Sequence, residues 1–340
     1  MTSVKRFQVV EEPTEETLGR GAFEFTDAYS VFDWGQMPDA IPHKGKSLCT
    51  MGAATFELLD EAGIPTHYRG VGDARDPIPL DMREPPDIMA IELTQVPDLP
   101  FKNGTYDYET FFADAGSNYL IPLEIVFRNQ VPIGSSLRRR TSPADHDLSI
   151  TEWPDTAVEL AAPIIEFSTK FEESDRYLDV EEADEIAGLA DIEELRSIAR
   201  DVNAAITDHA ANVGLTHLDG KIECLFHDGE IKVADVTGTL DENRFSFKGR
   251  QLSKEVLRQY YARTDHAWVE AVRASKVRAK ETGVADWRSL CDHEPRPLPE
   301  DIRRVASELY QAGANKYLDG DCFDVPSLLA VVRELEAVTK

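Results

Sequence analysis

Residues 218–236 read LDGKIECLFH-DG-EIKVADV, two β-type runs joined by an Asp-Gly pair. Asp-Gly accepts the positive φ angles of a two-residue hairpin turn, so the segment is read as strands Leu218–His227 and Glu230–Val236. Such a turn sets Glu223 opposite Ala234. Asp235 then faces the other side of a regular ribbon, and can share a ligand with Glu223 only if the strand bends or ends there. Carboxylates at neighbouring strand ends are the usual holders of Mg²⁺ where phosphoryl groups move, because the phosphate supplies further ligands. A solvent-exposed hairpin with alternating charges has the same spacing, so the segment alone leaves both readings open.

Upstream, residues 191–213 predict a helix. Asp191 and Glu194 form a capping box, Ile192, Leu195, Val202, Ile206, Ala210 and Val213 form its apolar stripe, and Gly214 closes it. Tyr119–Asn129 is a β-type run that enters Gly134-Ser-Ser-Leu-Arg-Arg-Arg140. Residues 71–117 are rich in Pro, Asp and Gly and read as an excursion off the core, with one strand at Ile88–Leu93. Residues 45–62 predict a helix with Leu48, Met51, Leu58 and Ala62 on one face and Gly63 as its stop. Residues 64–69 read as extended, and 4–10 and 21–25 as strands. Downstream the pattern is helical at 253–263, 265–281, 299–312 and 326–338, with Pro299 in a first-turn position. The sum is an α+β chain. A small β-rich lobe (1–119, carrying the 70–117 excursion) precedes a larger α+β lobe (120–262) and a helical C-terminal extension (263–340) packed on it.

The chain carries 63 acidic against 36 basic residues, a net charge of −27 over 340 residues. That surface repels nucleic acid and anionic membranes. Arginine outnumbers lysine, and the acidity fits a salt-rich, halophilic cytoplasm in which counterions screen self-repulsion. No apolar run is long enough to span a bilayer, and the start of the chain shows no signal core, so a cytoplasmic protein is expected. Cys49, Cys224, Cys291 and Cys322 are too scattered for a disulfide framework or a zinc site.

In so acidic a chain, clustered positive charge points to an anionic ligand. Arg128, Arg138, Arg139 and Arg140 fall within thirteen residues, beside the donors of a Gly-Ser-Ser turn. Thr26–Asp33 and Ile41–Lys46 place two aspartates and a hydroxyl before a Lys-Gly-Lys at a helix start, where an anion could dock, although taken alone the segment reads as an ordinary turn with solvated lysines. Arg244 follows a carboxylate run at Asp241–Asn243, and Lys254 and Arg258 stand one helical turn apart.

Read in order, these segments resemble the SAICAR synthetase (phosphoribosylaminoimidazole-succinocarboxamide synthase) family. Thr26–Asp33 and Ile41–Gly45 are similar to its Thr-Asp-Arg-Ile-Ser-Ala-Phe-Asp and Ile-Pro-x-Lys-Gly. Ile121–Asn129 with Gly134–Leu137 resembles its Val-Pro-Leu-Glu-Val-Val-Val-Arg-Asn…Gly-Ser-Leu block. Asp219–Leu225 and Ala234–Val236 resemble its Asp-x-Lys-Leu-Glu-Phe-Gly hairpin, and Asp241–Phe245 and Lys254–Arg258 its two arginine elements. The similarity spans roughly residues 3–262 in order. Where the family opens with a Gly-Lys-Val-Arg-Asp type loop over ATP, this chain has Thr2-Ser-Val-Lys-Arg6, which keeps a lysine and lacks the glycine.

The resemblance implies a two-lobe fold with the ATP site between the lobes. It also implies an ATP-dependent ligase of purine biosynthesis, condensing the carboxylate CAIR with L-aspartate to give SAICAR, ADP and phosphate. It assigns Glu223 and Asp235 to Mg²⁺, Lys5 to the ATP phosphates, and the strand at Leu120, Ile121 and Glu124 to the nucleotide. Arg128, Ser135, Ser136 and Arg244 fall on the CAIR phosphate, Lys221 and Arg258 on the reacting carboxylate. Asp33, Lys44 and Lys170 fall near the amino acid. A related carboxylate–amine ligase and a nucleotide-binding regulatory protein without turnover are the alternatives. A homo-oligomer is compatible with the sequence.

Overall fold

The computed structural model describes residues 4–102, 105–172, 175–284 and 286–338. Thr2 and Ser3 of the expected phosphate loop lie outside the described residues. Strands β1 (Lys5–Glu11) and β2 (Gly19–Phe25) form an antiparallel pair, α1 (Lys44–Glu61) follows, and β3 (Tyr68–Val71) and β4 (Ile88–Leu93) complete a four-stranded sheet of order β1-β2-β4-β3. Strand β4 therefore lies inside the sheet, with Met89, Ala90 and Ile91 buried. Within the 70–117 stretch the strand at Ile88–Leu93 belongs to the core, pairing on both edges despite the flanking prolines, while most of the described residues on either side of it are half-buried or exposed. The short ribbon β5 (Phe101–Lys102) and β6 (Thr105–Tyr106) leads into α2 (Tyr108–Ala115), which buries Phe111 and Ala115.

Helix α1 is covered on more than one side, which widens its buried face beyond the expected stripe. Leu48 and Met51 are buried as expected, joined by Phe56 and Leu59, while Leu58 is half-buried and Ala62 exposed. Gly63 ends the helix at φ 75°.

The second sheet is built from β7 (Asn118–Leu120), β8 (Leu123–Val131), β9 (Val158–Thr169), β10 (Tyr177–Leu178), β11 (Thr216–His227), β12 (Glu230–Ala234), β13 (Asn243–Phe247) and β14 (Arg250–Gln251). Its order is β10-β9-β8-β11-β13-β14, with β7 and β12 also paired to β11. The run read as one strand, Tyr119–Asn129, is two. Pro122 cannot donate to a ladder, and the pairing shifts from Leu120 opposite Leu225 to Ile125 opposite Ile222. The one-turn helix α3 (Leu137–Arg140) follows β8, and α4 (Val180–Ala187) precedes α5 (Ile192–Asn212). Asp191 caps α5 by accepting from the Glu193 and Glu194 N–H groups, and the expected stripe is buried against β8, β9 and β11.

Four helices close the chain: α6 (Glu255–Thr264), α7 (His266–Thr282), α8 (Glu300–Tyr317) and α9 (Leu328–Val338). The expected packing on the larger lobe is only part of their role. Helix α8 lies against α1, where the Tyr317 hydroxyl meets Thr55 Oγ1 at 2.9 Å, and the Tyr317 ring also meets Phe245 of β13 at 5.5 Å. No helix among the described residues is long and apolar enough to cross a membrane.

A bulge at Leu218 turns His217 to the back of the second sheet, away from Asp219. There its ring is enclosed by Phe127 and Phe245, with Thr207 Oγ1 2.9 Å from Nδ1 and Asn243 Nδ2 3.0 Å from Nε2. Burial pushes His217 from its ordinary 6.5 down to about 3, so the folded chain holds it neutral while the unfolded chain protonates. Its contribution to stability is fully present above pH 6.5. It is lost as pH falls toward 3, at up to about 1.4 kcal/mol per pH unit. Denaturant unfolding at pH 7 and pH 5 should show this loss, and His217→Gln should shrink the difference between the two; an unchanged difference would contradict the assignment.

Candidate active site

Cross-strand partners share a face of a sheet, so the register alone shows which side chains meet. Arg128 pairs with Asp219, Asp219 with Arg244, and Val126 with both Lys221 and Glu166. Glu124, Arg128, Glu166, Asp219, Lys221, Glu223 and Arg244 therefore lie on one face, and α5 covers the other. This is a polar, charged face inside the molecule, and each charge on it has a partner.

At one end is the hairpin. Asp228 and Gly229 take φ 48° and 87° as the sequence requires, and Glu223 faces Ala234 in the expected register. The strand stops at Ala234, and Asp235 adopts φ 55°. This is the break the sequence reading needed to bring both carboxylates to one place. The His67 ring fixes it: Nε2 lies 2.9 Å from the Asp235 carbonyl and donates to it, burial keeping the imidazole neutral at a pKa of about 4. The Lys5 ammonium of β1 pairs with Asp235, and Lys170, just past β9, reaches Glu223 at 2.5 Å. Burial, followed by the charge of Asp235, raises the Glu223 carboxyl. Burial also opposes the ionisation of Asp235, but Lys5 and Lys170 outweigh it and hold that carboxyl down.

In the middle, Lys221 lies 2.5 Å from Glu124, 3.7 Å from Glu242 and 4.0 Å from Glu223. Burial would lower its pKa, but those three carboxylates outweigh it and keep the ammonium charged. At the far end, Arg128 donates to Glu166 at 2.6 Å and to the Tyr177 hydroxyl at 3.2 Å, and stands 3.7 Å from Asp219. Arg140 donates to the other Glu166 oxygen at 2.7 Å and lies flat on the Tyr177 ring at 3.4 Å. Arg244 takes Asp219 in a two-point grip. Three guanidiniums are thus held side by side by two carboxylates and one ring, the arrangement that suits an anion with several oxygens.

Other expected residues are placed differently. Lys44 is 1% exposed, its ammonium 2.7 Å from Asp241, which also accepts from the Tyr310 hydroxyl at 2.7 Å; it ties α1 to α8 and presents nothing to a ligand. The Leu120 and Ile121 N–H groups are donated to the carbonyls of Gln95 and Cys224, both at 2.9 Å, so neither is free to meet a base. Ser135 is buried, its hydroxyl accepting from the Leu137 N–H, and Ser136 is half-buried at the start of α3. Arg138 is spent on the carbonyls of Val131, Pro154 and Thr156 and closes the loop between β8 and β9. Arg258 is half-exposed on α6 with Glu255 at 3.4 Å, and Asp33 pairs with Lys276. The sequence reading passed over Glu166, Asp219, Glu242 and Tyr177 as site residues; Asp219 and Glu242 stood inside quoted motifs, but only the strand register reveals what they hold.

Among the described residues no group of three or more His, Cys, Asp or Glu side chains could by itself hold a metal ion. Glu223 and Asp235 are two hard oxygen donors whose mutual repulsion is relieved by lysines. That set fits a Mg²⁺ that keeps its waters and takes its other ligands from phosphate.

A sequence model of the SAICAR synthetase family matches residues 13–275. The chain belongs to the SAICAR synthetase family. It is 41% identical, over 99% of both chains, to a protein of Archaeoglobus fulgidus provisionally named phosphoribosylaminoimidazole-succinocarboxamide synthase. It is 33% identical to the synthase of that name from Thermoplasma acidophilum, covering 85% of this chain and 90% of the relative. Among solved structures, a SAICAR synthase from Saccharomyces cerevisiae complexed with SAICAR shares the fold with a TM-score of 0.60 at 18% identity, covering 94% of this chain and 96% of that one. A SAICAR synthetase in complex with ADP does so at 0.54 and 23%, covering 87% and 99%. The polar sheet face, the hairpin and the three arginines lie within the SAICAR synthetase match; Lys5 precedes it, and α8 and α9 follow it.

Proposed function

We propose that the chain uses ATP to join CAIR to L-aspartate, giving SAICAR, ADP and phosphate. The observation that carries this reading is the order of charges along β11. Glu223 beside Asp235, then Lys221, then Asp219 with its arginines step along one face about 7 Å apart. That is the order of γ-phosphate, reacting carboxylate and ribose phosphate in the substrates.

A carboxylate repels nucleophiles, so it must first be activated. A CAIR carboxylate oxygen attacks the γ-phosphorus of ATP, the bond to the ADP oxygen breaks, and an acyl phosphate forms. The aspartate amine then attacks the carbonyl carbon and phosphate leaves. Lys5 and Lys170 neutralise phosphoryl oxygens, and Lys221 neutralises the carboxylate as it approaches its electrophile. Arg128, Arg140 and Arg244 hold the ribose phosphate and so fix the carboxylate in line. Mg²⁺, held by Glu223 and Asp235, would supply charge neutralisation at the transferring phosphoryl group.

The test is an assay of ADP release with ATP, Mg²⁺, CAIR and L-aspartate, leaving out one component at a time. ADP should require all four, with SAICAR formed in equal amount. ADP release without aspartate would point to another amine or to an uncoupled relative, and ATP binding without turnover to a regulatory protein.

We also place this reaction in a salt-rich cytoplasm, because a net charge of −27 destabilises a compact chain unless counterions screen it. Thermal unfolding in KCl from 0.01 to 1 M, over which the Debye length shrinks from about 30 to about 3 Å, should show a rising Tm; an unchanged or falling Tm would contradict this reading.

A further inference from the structure

One carboxylate beside the middle of the polar face has no part in the chemistry above. Glu242 lies in the loop between β12 and β13, its carboxylate 3.7 Å from the Lys221 ammonium and so just outside hydrogen-bond distance. The neighbouring acids are held more tightly. Glu124 is 2.5 Å from Lys221, Glu223 is 2.5 Å from Lys170, and Asp235 pairs with Lys5. Glu242 is thus the most loosely partnered of the carboxylates around Lys221, where the ligase reading places the reacting carboxylate.

The backbone that carries it is fixed on both sides. Asp241 is gripped by the Lys44 ammonium and by the Tyr310 hydroxyl, each at 2.7 Å. Asn243 donates its N–H to the Thr239 carbonyl at 2.8 Å and accepts from the Gly238 N–H at 2.7 Å, and Arg244 is locked on Asp219. Lys44 and Tyr310 are therefore positioning residues for Glu242, whose own side chain is 20% exposed and keeps a route to water. The family element Asp-x-x-Arg-Phe leaves position 242 open, so a role for Glu242 belongs to this chain.

An amine that attacks an acyl phosphate must shed a proton as the new bond forms, and a base within reach of that carbon speeds the step. We propose that Glu242 is this base. The lone pair of the free amine forms the N–C bond, the nitrogen becomes positive, and its proton passes to the Glu242 carboxylate. The C–O bond breaks with its electron pair leaving on phosphate, and Glu242 returns the proton to solvent through its exposed edge. This rests on the ligase reading above.

The experiment is kinetics of Glu242→Gln with L-aspartate and with hydroxylamine, a strong nucleophile that attacks acyl phosphates without help from a base. With L-aspartate, Glu242→Gln should lower kcat by about a hundredfold or more while the KM values for ATP and CAIR stay within about threefold. With hydroxylamine it should form the CAIR hydroxamate within about threefold of the unsubstituted rate, because the phosphorylation step does not use Glu242. A loss with L-aspartate less than about tenfold greater than the loss with hydroxylamine overturns the proposal and leaves Glu242 as a counter-charge for Lys221. An unsubstituted protein that forms neither SAICAR nor hydroxamate would overturn the ligase reading, and this proposal with it.

Discussion

Asp235→Asn should lower kcat by about a thousandfold or more, because on the proposed reading it removes a negative charge from the metal-holding pair beside the transferring phosphoryl group. The side chain keeps its shape, so the loss is electrostatic. Its partner Lys5, itself largely buried, would be left without a counter-charge. Breaking one side of this partly buried pair leaves an unpaired charge, so the variant should also melt earlier. Raising Mg²⁺ should recover part of the activity if the asparagine oxygen still serves as a weaker ligand. A kcat within about tenfold of the parent, with Mg²⁺ dependence unchanged, would remove Asp235 from the metal-holding role.

Arg128→Ala should act elsewhere in the cycle, raising the KM for CAIR at least about a hundredfold while the KM for ATP stays within about threefold. Arg128 is only 4% exposed, and Glu166 and Asp219 both depend on it. Its loss therefore also loosens Arg140 and Arg244 by releasing the carboxylates that orient them. Arg128→Lys should not rescue binding, since a lysine offers a single point of charge where a planar fork spans Glu166 and Tyr177. Equal increases in both KM values would mean that the residue supports the fold and not the phosphate.

The way the sequence could and could not be read follows from what each kind of signal measures. The hairpin was legible because Asp228-Gly229 is a local backbone requirement and the register follows by counting. Helix α5 was legible for the same reason, through its cap and its period. The left-handed turn at Asp235 was stated only as a condition, since it depends on a hydrogen bond from His67, far off in the chain. Strand β4 was found, but its place inside the first sheet was not, because pairing partners carry no local mark. Lys44 misled: a lysine in a Lys-Gly-Lys at a helix start looks like an anion site, and only tertiary packing buries it against Asp241. Tyr177 left no signal, as its value lies in being a flat surface under Arg140.

On the proposed reading the carboxylate of the imidazole substrate is activated by phosphoryl transfer on the face that ends at Glu223 and Asp235. That activation is tested most directly by CAIR labelled with ¹⁸O in its carboxylate, with the released phosphate examined by mass spectrometry after turnover with ATP, Mg²⁺ and L-aspartate. One labelled oxygen should appear in inorganic phosphate for each SAICAR formed, because the bond that breaks lies between the carbonyl carbon and that oxygen. Phosphate free of label, with SAICAR still produced, would contradict the acyl-phosphate route and the arrangement of residues argued for it.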